Sequence, residues 1–242
     1  MYGACKLLEF DAEKLRTNYE RIQSSPAWTK HHDYTIANPE DWTAIPLTSE
    51  TGGAGSTDDL RYWKGMKNQP TEILKACPYF QEVINSFNTE VVRARLLKLK
   101  AGTMIHEHRD YGQQRYSFER GWIRVHIPVI THEKVSWNLR DKRIPIGEGQ
   151  AWYLSVCEPH SVQNNSDIDR VHLVLDMQVN SWLRDLFPPM SLADHFWCWF
   201  LPIFEPPWRR FVYKTGPYRL KAKEILGNFG LRKIKHMLQG DD

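Results

Sequence analysis

The sequence predicts a mainly β protein: a double-stranded β-helix of the jelly-roll, cupin-like kind, flanked by N- and C-terminal helices. Three observations predict it. Between residues 91 and 179, short runs alternate polar residues with apolar or β-branched ones, the period of a half-buried strand. Turn signals separate these runs and no helical period intervenes, which favours a closed or double-sheet β architecture over a parallel α/β sheet. The chain has 242 residues, 41% hydrophobic and 25% charged, so it is globular and long enough to bury a real core.

The elements follow in order. Residues 1–90 read as a mixed helical and β flank packed on the core. Within it, DAEKLRTNYERI (11–22) is an amphipathic helix with Leu15, Tyr19 and Ile22 on one stripe. A turn-rich stretch, TSETGGAGSTDD (48–59), leads to a second helical segment, TEILKACPYFQEVINSF (71–87), which Pro78 must kink or divide. Residues 91–180 form the double-stranded β-helix. Its runs are VVRARLLKLK, TMIHEH, WIRVHIPVI, KVSWNL, RIPI, QAWYLSV, HSVQNN and RVHLVLDMQV. The connection YGQQRYSFERG (111–121) is too long for a tight hairpin, and loops of that kind beside a barrel mouth carry function. Residues 181–242 read as a helical appendage. Its basic stretch, from Arg209 to Lys235, is either a solvated helix face or a membrane-surface or acidic-partner site.

Composition narrows the function classes. A net charge of +3 is low for a dedicated nucleic-acid binder, so no nucleic acid is expected. No apolar run approaches the ~20 residues of a membrane span. The opening stretch MYGACKLLEFDAEK has no signal-peptide core, and the four cysteines lack metal-type spacing. A reduced, cytoplasmic protein is the expectation.

One constellation carries chemistry. His108 and Asp110 are two apart at a strand end, so both side chains face one point, and His160 opens a later strand. Two imidazoles and one carboxylate on a single face of a metal leave about three positions open, as a non-haem Fe(II) oxygenase requires. Arg124 and His126 share a face of a central strand, and Arg170 opens the last strand in phase with His172. An inward arginine is costly without an anion, and a dicarboxylate cosubstrate supplies one. An internal pair of Arg170 with Asp176 or Asp169 is the plainer alternative. His106 shares the sequence parity of His108 and is a rival ligand. Trp137 and Trp152 read as core aromatics, with an apolar wall against the substrate as the alternative for either, and Asn164 as a turn residue.

The run LLKLKAGTMIHEHRD, with RVHIPVI, GQAWYL and EPHSVQNNSDIDRVHLVLD, resembles the aspartyl/asparaginyl β-hydroxylase family of Fe(II)/2-oxoglutarate oxygenases. Within that family, SFERGWIRVHIPV and DRVHLVLD are most similar to the bacterial L-proline cis-4-hydroxylases. The resemblance implies iron held by His108, Asp110 and His160, with 2-oxoglutarate and dioxygen as cosubstrates. It implies Arg170 on the distal carboxylate of 2-oxoglutarate, His126 at its C1 end and Arg124 in support. Hydroxylation of a free, proline-like amino acid, with release of succinate and carbon dioxide, is then expected. Hydroxylation of a peptide or protein side chain is the alternative, and a jelly-roll binding protein with a vestigial site is a third reading. Arg93, Arg95, Arg115 and Tyr116 are the residues from which a substrate carboxylate site would be built; pairing of Arg95 or Arg115 with Glu107 or Glu119 is the bland counterpart.

Overall fold

The computed structural model describes residues 3–30, 36–60, 67–110, 118 and 121–189. The loop residues Arg115 and Tyr116, and the basic stretch from Arg209 to Lys235, lie outside them.

Eight strands build the core: β6 (Val91–Leu99), β7 (Met104–His108), β8 (Trp122–Ile130), β9 (Val135–Leu139), β10 (Lys142–Ile144), β11 (Gln150–Leu154), β12 (His160–Asn164) and β13 (Arg170–Gln178). Five precede them: β1 (Ala4–Glu9), β2 (Thr29–Lys30), β3 (Trp42–Pro46), β4 (Thr48–Ser49) and β5 (Gln69–Pro70). The larger sheet runs β1-β11-β8-β13-β6-β3-β2, the smaller runs β10-β9-β12-β7, and β4 pairs with β5. From β6 onward the chain passes back and forth between the two sheets, and every pairing is antiparallel. That is the jelly roll the strand spacing predicts. The first ninety residues add β1 at one edge of the larger sheet and β3 with β2 at the other.

Strand parity sorts the core. On β8, Ile123, Val125, Ile127 and Val129 are fully buried against the helical layer, in one cluster with Leu15, Phe80 and Leu183. The alternate residues Arg124 and His126 turn the other way. Between the sheets lies a second cluster that includes Leu97, Leu99, Trp137, Leu139 and Val162.

The helices form where their sequences dictate. Asp11 caps α1 (Ala12–Glu20) by accepting the Lys14 amide N–H. The second helical segment divides at Pro78, giving α2 (Glu72–Lys75) and α3 (Pro78–Asn85), with the proline where its missing N–H costs nothing. Cys77 gives α3 no side-chain cap. The buried Asn18 of α1 supplies one, accepting the Tyr79 amide at 3.0 Å and so docking one helix on the other. The β1–β11 edge depends on Gly149, at φ 77°, where a Cβ would sit 2.3 Å from the Phe10 carbonyl oxygen. A short helix α4 (Ser181–Asp185), capped by Asn180, follows β13. No described helix is long and apolar enough to cross a membrane.

Candidate metal centre

Strand pairing puts His108 at the end of β7 directly opposite His160 at the start of β12. Their rings lie 4.1 Å apart, centroid to centroid. Asp110 Oδ1 comes within 3.4 Å of His108 Nε2 and 3.9 Å of His160 Nε2. One ligand atom from each residue falls within 4.8 Å of the others.

The backbone sets both imidazoles. His108 Nδ1 lies 2.8 Å from the His106 carbonyl oxygen, and His160 Nδ1 lies 2.9 Å from that of Glu158. A carbonyl only accepts, so each Nδ1 carries the proton and each Nε2 presents a lone pair to the shared point. Burial pushes the His160 imidazole down to about 4, only partly opposed by Asp110, which keeps it neutral and fit to ligate.

The register of β7 against β12 slips between His160 and Val162. That bulge brings Ile105 and His108 to the inner side and leaves His106 exposed. His106 therefore is not a ligand in this geometry; its carbonyl orients the histidine that is.

Asp110 is held from behind. Its Oδ2 accepts from Arg124 Nη1, leaving Oδ1 toward the histidines. Burial opposes ionisation of Asp110, but the Arg124 guanidinium outweighs it and holds the carboxyl far below the usual range. Arg124 Nε in turn donates to Asp176 Oδ1 at 2.7 Å. Asp176 is fully buried and also accepts from Arg93 Nε at 2.7 Å and Arg95 Nη1 at 2.8 Å. Register dictates this grouping, because Asp176 on the central strand β13 sits opposite Arg93 on β6 and Arg124 on β8. Sequence spacing offered Asp176 to Arg170. Six residues of strand separate those two by roughly 20 Å, which no side-chain pair bridges.

Replacing Asp176 by Asn is expected to destabilise the protein by about 3–5 kcal/mol, because three arginines then lose one buried counter-charge. Urea unfolding at neutral pH measures it. Burial resists the Asp176 charge, yet the three arginines hold its carboxyl well below the ordinary range. Its contribution is therefore complete above the unfolded value of about 3.9 and is lost as pH falls through the depressed folded one.

Deeper in the barrel, Arg170 is 2% exposed and meets no carboxylate among the described residues. Its Nη2 lies 2.7 Å from His172 Nδ1, while its Nε has no partner there. Burial brings the guanidinium down to about 9, so it stays charged at neutral pH. His126 faces His172 edge-on at 5.7 Å, and both its ring nitrogens are buried without a hydrogen bond. Burial first, then Arg170 and Arg124, keep His126 neutral. Trp137 stacks on His160, with centroids 5.2 Å apart and rings 4° from parallel.

The position of β13 at this depth is fixed by Asn164, which is fully buried. Its amide donates to the carbonyls of Lys100 and Ile168, and its Oδ1 accepts the Ser166 hydroxyl, closing the turn from β12 into β13. Asp176 and Trp137 are the two residues of this interior whose part sequence reasoning missed. Their partners lie on neighbouring strands, so only register reveals them.

The site has the donor set of a metal centre with open positions, one face of two histidines and a carboxylate, and behind it a buried cation with unpaired donors. Comparison with known proteins finds similar sequences and structures. Residues 9–179 match the family model described as aspartyl/asparaginyl β-hydroxylase. An L-proline cis-4-hydroxylase of Rhizobium meliloti (strain 1021) is 23% identical over 193 residues; these cover 77% of this chain and 66% of that protein's length. A Pseudomonas putida prolyl-4-hydroxylase structure aligns over 75% of this chain and 95% of its own, at 13% identity and a TM-score of 0.47. A Burkholderia pseudomallei oxidoreductase of the 2OG-Fe(II) oxygenase family aligns over 73% of this chain and 85% of its own, at 14% identity and a TM-score of 0.48.

Proposed function

The chain belongs to the aspartyl/asparaginyl β-hydroxylase family, and from that premise we propose that it is an Fe(II)- and 2-oxoglutarate-dependent hydroxylase of a free amino acid, with proline or a proline-like molecule favoured. The observation that carries the reading is the pairing of two features. His108, Asp110 and His160 converge on one point, and the buried Arg170, without a counter-charge among the described residues, lies behind them in the same barrel.

The residues present fit both groups. His108 and His160 offer Nε2, and Asp110 offers Oδ1 while Arg124 occupies Oδ2. Arg124 so favours one-oxygen binding by the carboxylate, which keeps metal positions open. The unpaired Nε of Arg170 and the unpaired ring nitrogens of His126 suit a carboxylate-bearing cosubstrate. When bound, iron and 2-oxoglutarate supply from dioxygen the oxidising power that an unactivated C–H demands, with succinate and carbon dioxide as co-products. The protein's share is orientation and the exclusion of water.

Charge supports an anionic ligand in this interior. Around the site, Arg93, Arg95 and Arg124 converge on Asp176, Arg124 also holds Asp110, and Arg170 meets no carboxylate among the described residues. The buried positive field at Arg170 favours an anionic ligand. Arg93 and Arg95 contribute to this field through Asp176, and Arg115 and Tyr116 are kept as substrate contacts from the adjoining loop.

The test is a mass-spectrometric screen of free amino acids, with iron, ascorbate and 2-oxoglutarate, for gain of one oxygen matched by succinate. The same compounds amidated at the carboxylate, and capped peptides containing them, form the second arm. Hydroxylation confined to free acids is the expected result. Efficient hydroxylation of an internal residue in a capped peptide would overturn it.

A further inference from the structure

Trp137 sits where the two halves of the site meet. It leaves β9 on the smaller sheet, two residues from Leu139, which pairs with His160. One face of its indole covers the His160 ring in a parallel stack. The same ring meets His126 of the larger sheet at 5.9 Å and 60°, so it touches both the metal ligand and the cosubstrate pocket. Its side chain is buried, at 4% exposure, and the indole Nε1–H has no hydrogen-bond partner among the described residues.

Packing alone does not account for that pattern. A core aromatic needs only apolar neighbours, and folded proteins rarely bury an N–H without an acceptor. The nearest aromatic neighbour across the gap, His126, has unpaired nitrogens of its own, and Arg170 beyond has an unpaired Nε. Three side chains from β8, β9 and β13 thus bring unpaired nitrogens into one interior, and two of them can only donate there. Such a set is short of acceptors, since the neutral His126 ring offers one at most, and a carboxylate is the acceptor that matches it.

We infer that Trp137 is a cosubstrate-binding residue: its indole N–H donates to a carboxylate of 2-oxoglutarate while its face fixes the His160 ring. The inference rests on the cosubstrate reading above. The two roles use different parts of one side chain, so they separate by substitution. Trp137→Phe keeps a ring over His160 and removes the donor. Trp137→Ala removes both.

The experiment uses protein loaded with Mn(II) and titrates 2-oxoglutarate calorimetrically, with metal affinity measured separately. Trp137→Phe should weaken 2-oxoglutarate binding by about tenfold, the size of one charge-assisted hydrogen bond, and leave metal affinity within about twofold. Trp137→Ala should weaken both. Unmodified protein loaded with Zn(II) gives an independent reading by NMR: one of its ten indole N–H signals should move downfield when 2-oxoglutarate is added. Equal affinity in Trp137→Phe and parent overturns the inference, as does loss of metal together with cosubstrate in that variant, or ten unmoved indole signals in a parent that binds 2-oxoglutarate. A parent that takes up Mn(II) but no 2-oxoglutarate overturns the cosubstrate reading itself, and this inference with it.

Discussion

Replacing His160 by Ala is expected to abolish iron-dependent turnover and to weaken metal binding by more than about 100-fold. Loss of residues that merely orient a ligand costs roughly 10–100-fold, and loss of the ligand itself should exceed that. His160 is 5% exposed, with its Nδ1 proton committed to Glu158 and Trp137 stacked on its face, so its ring is fixed in the ligating orientation. His108→Ala and Asp110→Ala should match it, because each supplies one of the three atoms that converge among the described residues. His106→Ala is the control. It keeps the backbone carbonyl that orients His108 and removes only an exposed ring, so metal content after dialysis should stay near parental. Full iron retention and turnover in the His160→Ala protein would remove the triad assignment.

The contrast between His106 and His108 shows where sequence reading stops. Strand alternation brings His108 and Asp110 to one side because their spacing is local, while His160 was legible as the histidine that opens a later strand. The same alternation puts His106 in phase with His108, and a bulge in β7 undoes it. A single extra residue in one strand of a pair leaves no periodic trace in a short run. Helix positions were legible for a different reason: the stripe of Leu15, Tyr19 and Ile22 and the break at Pro78 are local signals that act where they stand. Asp176 was legible as an inward acid but not as the hub of Arg93, Arg95 and Arg124, because that grouping needs the order β6-β13-β8. Trp137 is further from reach still. Nothing in KVSWNL says that the indole N–H will find no partner, since that depends on what three other strands bring to the interior.

Arg170→Ala is expected to weaken 2-oxoglutarate binding by on the order of 2–5 kcal/mol, the cost of truncating one partner of a buried, hydrogen-bonded charge pair. That is a factor of roughly 30 to several thousand in the dissociation constant. Metal binding should hardly change, because the Arg170 side chain bonds His172 and touches none of His108, Asp110 or His160. Calorimetry on Mn(II)-loaded protein reads both quantities. Arg170→Lys makes the test sharper. It restores the charge at this depth but not the planar fork, so it should recover part of the affinity if the guanidinium grips a carboxylate by two bonds. Full recovery by Lys would mean that charge alone matters there. An unchanged affinity in Arg170→Ala would place the anchor elsewhere, and Arg124 would be next to test. Arg124, however, already spends Nε on Asp176 and Nη1 on Asp110, whereas Arg170 keeps its Nε without a partner among the described residues and faces no carboxylate there. The side chain with donors to spare is the one whose loss the cosubstrate should feel.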